Sequence, residues 1–137
     1  ATSFKAEILD EVHDLVADTI KIALYTSSAT INATTTAYST SNEVANGNGY
    51  ATGGVTLTNK AVSTAGASTS GGTAYFDADD PTWTSASFTA RGALIYNSSA
   101  SDKAIAILNF GGDFTVSSGT FRIVFPAAGA NAIITIA

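Results

Sequence analysis

The chain has 137 residues, only 12% of them charged, with a formal net charge of -5 and a mean hydropathy of +0.22. That charged fraction is about half the ~25% usual for a soluble domain, so the exposed surface has to be built largely from Ser, Thr, Asn, Ala and Gly, which other proteins cover easily. The absence of Cys excludes disulfides and thiolate metal sites, the acidic balance with scattered Lys and Arg disfavours a nucleic-acid partner, and no apolar run approaches the ~18 residues of a membrane span.

The first element in chain order is a helix. Phe4, Ile8, Leu9, Val12, Leu15 and Val16 recur at helical spacing, with Glu7, Asp10, Glu11 and Asp14 on the opposite side. The pattern predicts one short N-terminal helix starting at Phe4 and ending near Asp14, because Asp14 and Asp18 sit badly at the negative end of a helix dipole. Residues 1–16 then form a helical arm. Its stripe of Phe4, Ile8, Val12 and Leu15 needs cover, either from its own sandwich or from a neighbouring subunit, and a lone helix ahead of a β domain favours an intersubunit or capsid contact. The opening residues carry no basic stretch followed by an apolar one, so no signal peptide is expected, and Ala1 in a chain without Met suggests a removed initiator Met.

From residue 18 the grammar changes to strands. Thr19 to Thr26 alternates Ile20, Ile22 and Leu24 against Lys21, Ala23 and Tyr25, which predicts a half-buried strand. Residues 27–54, rich in Thr, Asn and Gly, are too long for an ordinary connection and predict either a structured excursion or a binding loop. Further strands are expected at Val55 to Val62, Thr73 to Phe76, Ala86 to Tyr96, Ala104 to Phe110, Thr120 to Phe125 and Ala132 to Ile136. Ala86 to Tyr96 and Ala104 to Phe110 read as a hairpin joined by Asn97 to Lys103, with a bulge at Gly92. In the segment ending at Phe125, Phe121, Ile123 and Phe125 point inward. The whole, residues 1–137, reads as a single mainly-β domain, an antiparallel β-sandwich of jelly-roll type over residues 18–137.

No residue pattern demands chemistry. His13 is the only histidine; Asp10 and Asp14 flank it, but no Gly-x-Ser-x-Gly elbow accompanies it, and it falls at the edge of the helical stripe as a surface or interface residue. Asp77, Asp79 and Asp80 lack the central Gly and closing Glu of a calcium loop, and Pro81 breaks the resemblance to an Asp-x-Asp phosphotransferase motif. They read as a solvated turn. The Gly-rich run Gly47 to Gly54 lacks the Gly-Lys-Ser/Thr ending and following helix of a phosphate cradle. Asn32-Ala33-Thr34 and Asn97-Ser98-Ser99 match the glycosylation triplet, which a Ser/Thr-rich chain produces by chance. Tyr25, Tyr38, Tyr50, Trp83 and Tyr96 offer an aromatic platform for sugar rings, with Trp83 the best single anchor for a sugar or a subunit contact. The expectation is therefore no catalytic, metal-binding or cofactor-binding residues, no small-molecule substrate, and an interface built on Phe4, Ile8, Val12, Leu15 and Trp83.

Asp18-Thr19-Ile20-Lys21-Ile22-Ala23-Leu24-Tyr25-Thr26-Ser27-Ser28-Ala29-Thr30, Thr36-Ala37-Tyr38-Ser39, Asn42-Glu43-Val44, Gly49-Tyr50-Ala51-Thr52-Gly53-Gly54 and Ala90-Arg91-Gly92-Ala93-Leu94-Ile95-Tyr96-Asn97 together resemble a family of small virion structural proteins of tailed bacteriophages, over Phe4 to Ile136. The resemblance implies a jelly-roll decoration or cement protein made in the bacterial host cytoplasm. Such a protein sits on the outer capsid surface as a homo-oligomer, bridges major capsid protein subunits, and has no chemistry of its own. A head-fibre or tail-associated role is the neighbouring expectation, and a carbohydrate-binding module is the alternative of a different class.

Overall fold

A computed structural model describes residues 1–65 and 72–136 and shows a mainly-β protein with one short N-terminal helix, α1 (Thr2–Leu9). Seven strands follow: β1 (Ile20–Tyr25), β2 (Val55–Thr56), β3 (Ala61–Ala65), β4 (Thr73–Asp77), β5 (Thr82–Asn97), β6 (Lys103–Arg122) and β7 (Ile134–Ile136). They form two antiparallel sheets, a four-stranded one in the order β2-β1-β5-β6 and a three-stranded one in the order β3-β4-β7. The core between them takes Ile20, Ile22, Leu24 and Ile95 from the larger sheet and Phe76 from the smaller. A jelly roll has eight strands; the described residues supply seven, and the architecture is that of an antiparallel β-sandwich.

The helix is shorter than its apolar spacing predicts. Glu11 adopts a left-handed φ of 57°, and the Val12 N–H returns to the Glu7 carbonyl at 3.0 Å, a helix-ending arrangement that turns the chain before Val12 can join the stripe. Asp14 then builds a turn, its Oδ1 accepting from the N–H groups of Val16 and Ala17. Phe4 and Leu15 are buried and Ile8 is partly buried within the chain's own core, so the expectation that this stripe meets another subunit is corrected.

β1 is buried on both faces rather than one. Ile20, Ile22 and Leu24 point into the sandwich, while Ala23 and Tyr25 join Leu94, Tyr96 and Ala104 in a second cluster on the other face. The segment 27–54 covers that second face by packing Ala29, Ile31 and Tyr38 against it. It is a structured excursion, bridged to β1 through Tyr25 and Glu43 and to β6 through Ala37 and Lys103.

The dominant feature is the β5–β6 hairpin, joined across Asn97 to Lys103 as expected, with a register irregularity between Ala90 and Gly92. A Cβ at Gly92 would stand 2.8 Å from the Leu108 carbonyl oxygen, which accounts for the glycine. The expected strands Ala104 to Phe110 and Thr120 to Phe125 are one continuous strand as far as Arg122. Gly111, at φ 77°, is absorbed as a kink instead of ending the strand.

Candidate functional site

The titratable side chains that carry chemistry elsewhere are spent here on holding segments together. His13 is buried within the chain's own fold, where the sequence predicts a surface or interface residue. Its Nε2 lies 3.1 Å from Glu7 Oε2 and its Nδ1 3.1 Å from Asn97 Nδ2. Asn97 Oδ1 already accepts from the N–H groups of Ser99 and Ala100, so its amide nitrogen faces His13 and Asp18. Nδ1 of His13 therefore accepts a hydrogen bond and Nε2 donates one to Glu7. Lys103 completes the group at 2.8 Å from Glu7 Oε1. Burial pushes the Glu7 carboxyl upward, but the hydrogen bonds from Lys103 and His13 outweigh it and hold the group below the usual carboxylate range. The arrangement ties α1 and the segment after it to the end of the hairpin. It has no nucleophile and no opening for a substrate at His13, whose side chain is fully covered.

A second constellation fastens the excursion. Glu43, the sole charged residue of the 27–54 segment, accepts from the hydroxyls of Tyr38 and Tyr50 at 2.7 and 2.6 Å and from the Gly53 N–H at 2.7 Å. Tyr96 donates to the Gly53 carbonyl oxygen at 2.8 Å and Tyr25 to that of Ser39 at 2.6 Å. Burial raises the hydroxyls of Tyr50, Tyr38 and Tyr96 well above the ordinary phenol value, with Glu43 adding to the rise, and burial pushes Tyr25 up to about 12.

The acidic turn is likewise occupied. Asp80 Oδ1 accepts from the Phe125 N–H at 2.8 Å and its Oδ2 pairs with Arg122, and Asp79 Oδ2 accepts from Asn59 and Thr58. The Phe125 N–H, then Arg122, hold Asp80 below the usual carboxylate range. The expected turn, with Asp side chains bonding backbone N–H groups, is present in the Asp80 to Phe125 bond, and the acids do more than that: Asp79 and Asp80 also clamp the 58–59 turn and Arg122 of β6. Among the described residues no group of three His, Cys, Asp or Glu side chains converges as a metal site requires.

The aromatic platform is not a platform. Tyr25, Tyr50, Trp83 and Tyr96 are buried, and Tyr38 stacks on Tyr96 with ring centroids 4.5 Å apart. Trp83 is 3% exposed, packed between Tyr50 and Phe121, which corrects its expected place at an interface. Asn97 is also fully buried, so its glycosylation triplet is closed to modification in the fold.

What remains open is the outer half of the hairpin. Trp83, Ala86, Phe88 and Ala90 of β5 stand opposite Phe121, Gly119, Val116 and Phe114 of β6, so these side chains share one face. Phe110, Phe114, Val116, Phe121 and Ile123 line a groove of about 410 Å³ on it, and Phe114 is 54% exposed. Among the described residues no strand of the sheet lies on the outer side of β6, which is bridged there only at Lys103. Nothing in the sequence reading singled out Phe110 or Phe114; the signal was present as closely spaced Phe residues beside Gly111 and Gly112.

No family model, curated protein or solved structure matches this chain. Among the described residues no helix is long and apolar enough to cross a membrane.

Proposed function

We propose that the protein is a non-enzymatic virion structural protein, a decoration or cement protein that binds the outer surface of a bacteriophage head and bridges major capsid protein subunits. The observation that carries the reading is the aromatic row on the outer hairpin, where Phe114 is more than half exposed and Phe110 and Phe121 lie half-buried beside it, on a chain whose His13, Glu43, Asp79 and Asp80 are committed to internal contacts. A largely aromatic and aliphatic face edged by Thr115, Thr120 and Arg122 suits a partner that is itself a protein surface repeated many times, where many modest contacts add through multivalency. The resemblance noted in the sequence supplies the capsid; burial of Tyr25, Tyr50, Trp83 and Tyr96 weighs against the carbohydrate-binding alternative.

Co-sedimentation with expanded capsid shells tests the reading. The native chain pellets with shells, and Phe114→Ser with Phe121→Ser lowers the bound fraction while the hairpin stays folded by circular dichroism. A native chain that stays in the supernatant at saturating shell concentration would sink the proposal.

A further inference from the structure

Residues 113–122 read Asp-Phe-Thr-Val-Ser-Ser-Gly-Thr-Phe-Arg, a run that on reversal repeats its Phe, Thr and Ser positions and exchanges Asp with Arg and Val with Gly. Laid antiparallel on a second copy, Asp113 meets Arg122, Phe114 meets Phe121, and Thr115 meets Thr120. Val116 then falls over Gly119, and Ser117 and Ser118 straddle the centre. Opposite charges, paired aromatics and paired threonines are the cross-strand combinations that stabilise a sheet, and a large side chain over a glycine is the one that packs without clash.

Such a match means something only if the paired side chains leave the same face of the sheet. Phe114 and Phe121 are seven residues apart, which in a regular strand sends them to opposite faces. Here they do not diverge. The ladder slips between Ala86 and Phe88, where Gly119 and Val116 are the partners, and Ser118 takes a left-handed φ of 47°. The bulge restores the parity: both phenyl rings line the groove beside Phe110, at 6.0 and 6.2 Å between centroids. Phe114, Val116, Gly119 and Phe121 thus lie on one face. Arg122 and Thr115, opposite Thr82 and Thr89 of β5, lie on the other. A two-fold axis perpendicular to the sheet preserves faces, so every pair in the register is a same-face pair.

We propose that the outer edge of β6 pairs with β6 of a second copy of this chain in that register. The edge is the last of its sheet, and among the described residues no strand pairs with it over residues 113–122, its outer side being bridged only at Lys103. Charge complementarity selects the occupant. Arg91 lies 3.7 Å from Asp113 and Arg122 pairs with Asp80 within one chain, so the register produces an alternating row of Arg91, Asp113, the second copy's Arg122 and its Asp80. The two aromatic grooves become one continuous stripe across the dyad. The pairing stands whichever partner that stripe meets, and its test contains no capsid.

The full chain is weighed by sedimentation, with a mass of twice 13.8 kDa expected. The register is read by cysteine capture, which the lack of native Cys makes clean. Thr115→Cys mixed with Thr120→Cys forms a disulfide-linked dimer under mild oxidation, whereas either variant alone does not, its own cysteines lying ~17 Å apart along the paired strands. Asp113→Lys weakens the dimer by about tenfold, since the symmetric interface turns two attractions into two repulsions. A monomer at high concentration, capture by either variant alone, or a dimer indifferent to Asp113→Lys would each overturn the proposal.

Discussion

The two halves of the β5–β6 hairpin share one pair of strands and differ in everything around them. In the half near the turn, Gly92 to Asn97 pairs with β1 on one side and β6 on the other, and every residue from Gly92 to Asn97 is buried. In the outer half the β5 stretch Thr82 to Ala90 has β6 alone as a ladder partner, and β6 residues there alternate between half-buried and exposed. The inner half is held by hydrophobic cover on both faces. The outer half buries Trp83, Ala86 and Ala90 of β5 in the core, while on β6 it leaves Phe114 more than half exposed.

The sharpest way to break the comparison is to damage the inner half. Leu94→Ala removes a fully buried side chain from the second cluster and is expected to cost about 2–5 kcal/mol in urea unfolding. Phe114→Ala, at 54% exposure in the outer half, is expected to cost under about 1 kcal/mol. Equal losses at the two sites would mean that the outer half is covered in solution by something other than solvent. Gly54→Ala belongs with the large effects: Gly54 has φ 69°, and a Cβ there would run into the Ile22 carbonyl oxygen of β1. A loss of at least about 3 kcal/mol is expected, against about 1 kcal/mol for Gly47→Ala, which has φ 109° but open space around it.

Next in size is the fastening of the excursion that covers the inner half. Glu43→Gln leaves a neutral acceptor for three donors and is expected to cost about 1.5–3 kcal/mol, the range for hydrogen bonds to a charged group. The same region sets an alkaline limit. Tyr25 is raised to about 12, and Tyr38, Tyr50 and Tyr96 are raised as well, so an unfolded chain ionises these phenols first. The native state then binds more protons than the unfolded one. Stability is full below about pH 10, the ordinary phenol value, and falls as pH rises from there through about 12. Denaturant midpoints taken from pH 9 to 12 measure it, and a flat profile would show that the excursion lifts off before the tyrosines matter.

How much of this comparison the sequence carries depends on the scale of the signal. The inner half is legible because its signals are local: Asn97 to Lys103 reads as a turn and Gly92 as a bulge. Of the expected inward set at the far end of the hairpin, Phe125 is buried and Phe121 and Ile123 are half-buried against the core. The burial of β1 on both faces is not, since it depends on a segment dozens of residues away folding back as a cover. Glu43 is visible in sequence as a lone charge between tyrosines, but only the fold brings Tyr38, Tyr50 and Gly53 to the same carboxylate. His13 was misplaced because the apolar spacing through Leu15 is real while the helix is not: the same residues reach the core through a turn. Gly111-Gly112 suggests a break where the strand in fact continues, and that hid the outer half of β6 and its reversible run.

The smallest effect expected is at the acidic turn, and it separates two kinds of electrostatic support. Calcium needs six to eight oxygen ligands, whereas Asp79 and Asp80 already accept hydrogen bonds from Asn59, Thr58, Arg122 and the Phe125 N–H. Asp77 Oδ1 is buried without a partner, but one carboxylate oxygen cannot assemble a coordination shell. Thermal unfolding with millimolar calcium and with excess chelator should therefore give the same midpoint. Protons act where calcium does not. Asp80 is held below its ordinary value of 3.8 by the Phe125 N–H and Arg122, so its contribution is complete above that pH and is lost as pH falls through the lowered native value. Asp80→Asn keeps an acceptor for Phe125 but gives up the charge facing Arg122, and on this exposed pair it should lower stability at pH 7 by under about 1 kcal/mol. It should also flatten the acid limb below about pH 4. A calcium-dependent midpoint in the native chain that Asp80→Asn abolishes would reverse the assignment, making the turn a metal site instead of a hydrogen-bonded clamp.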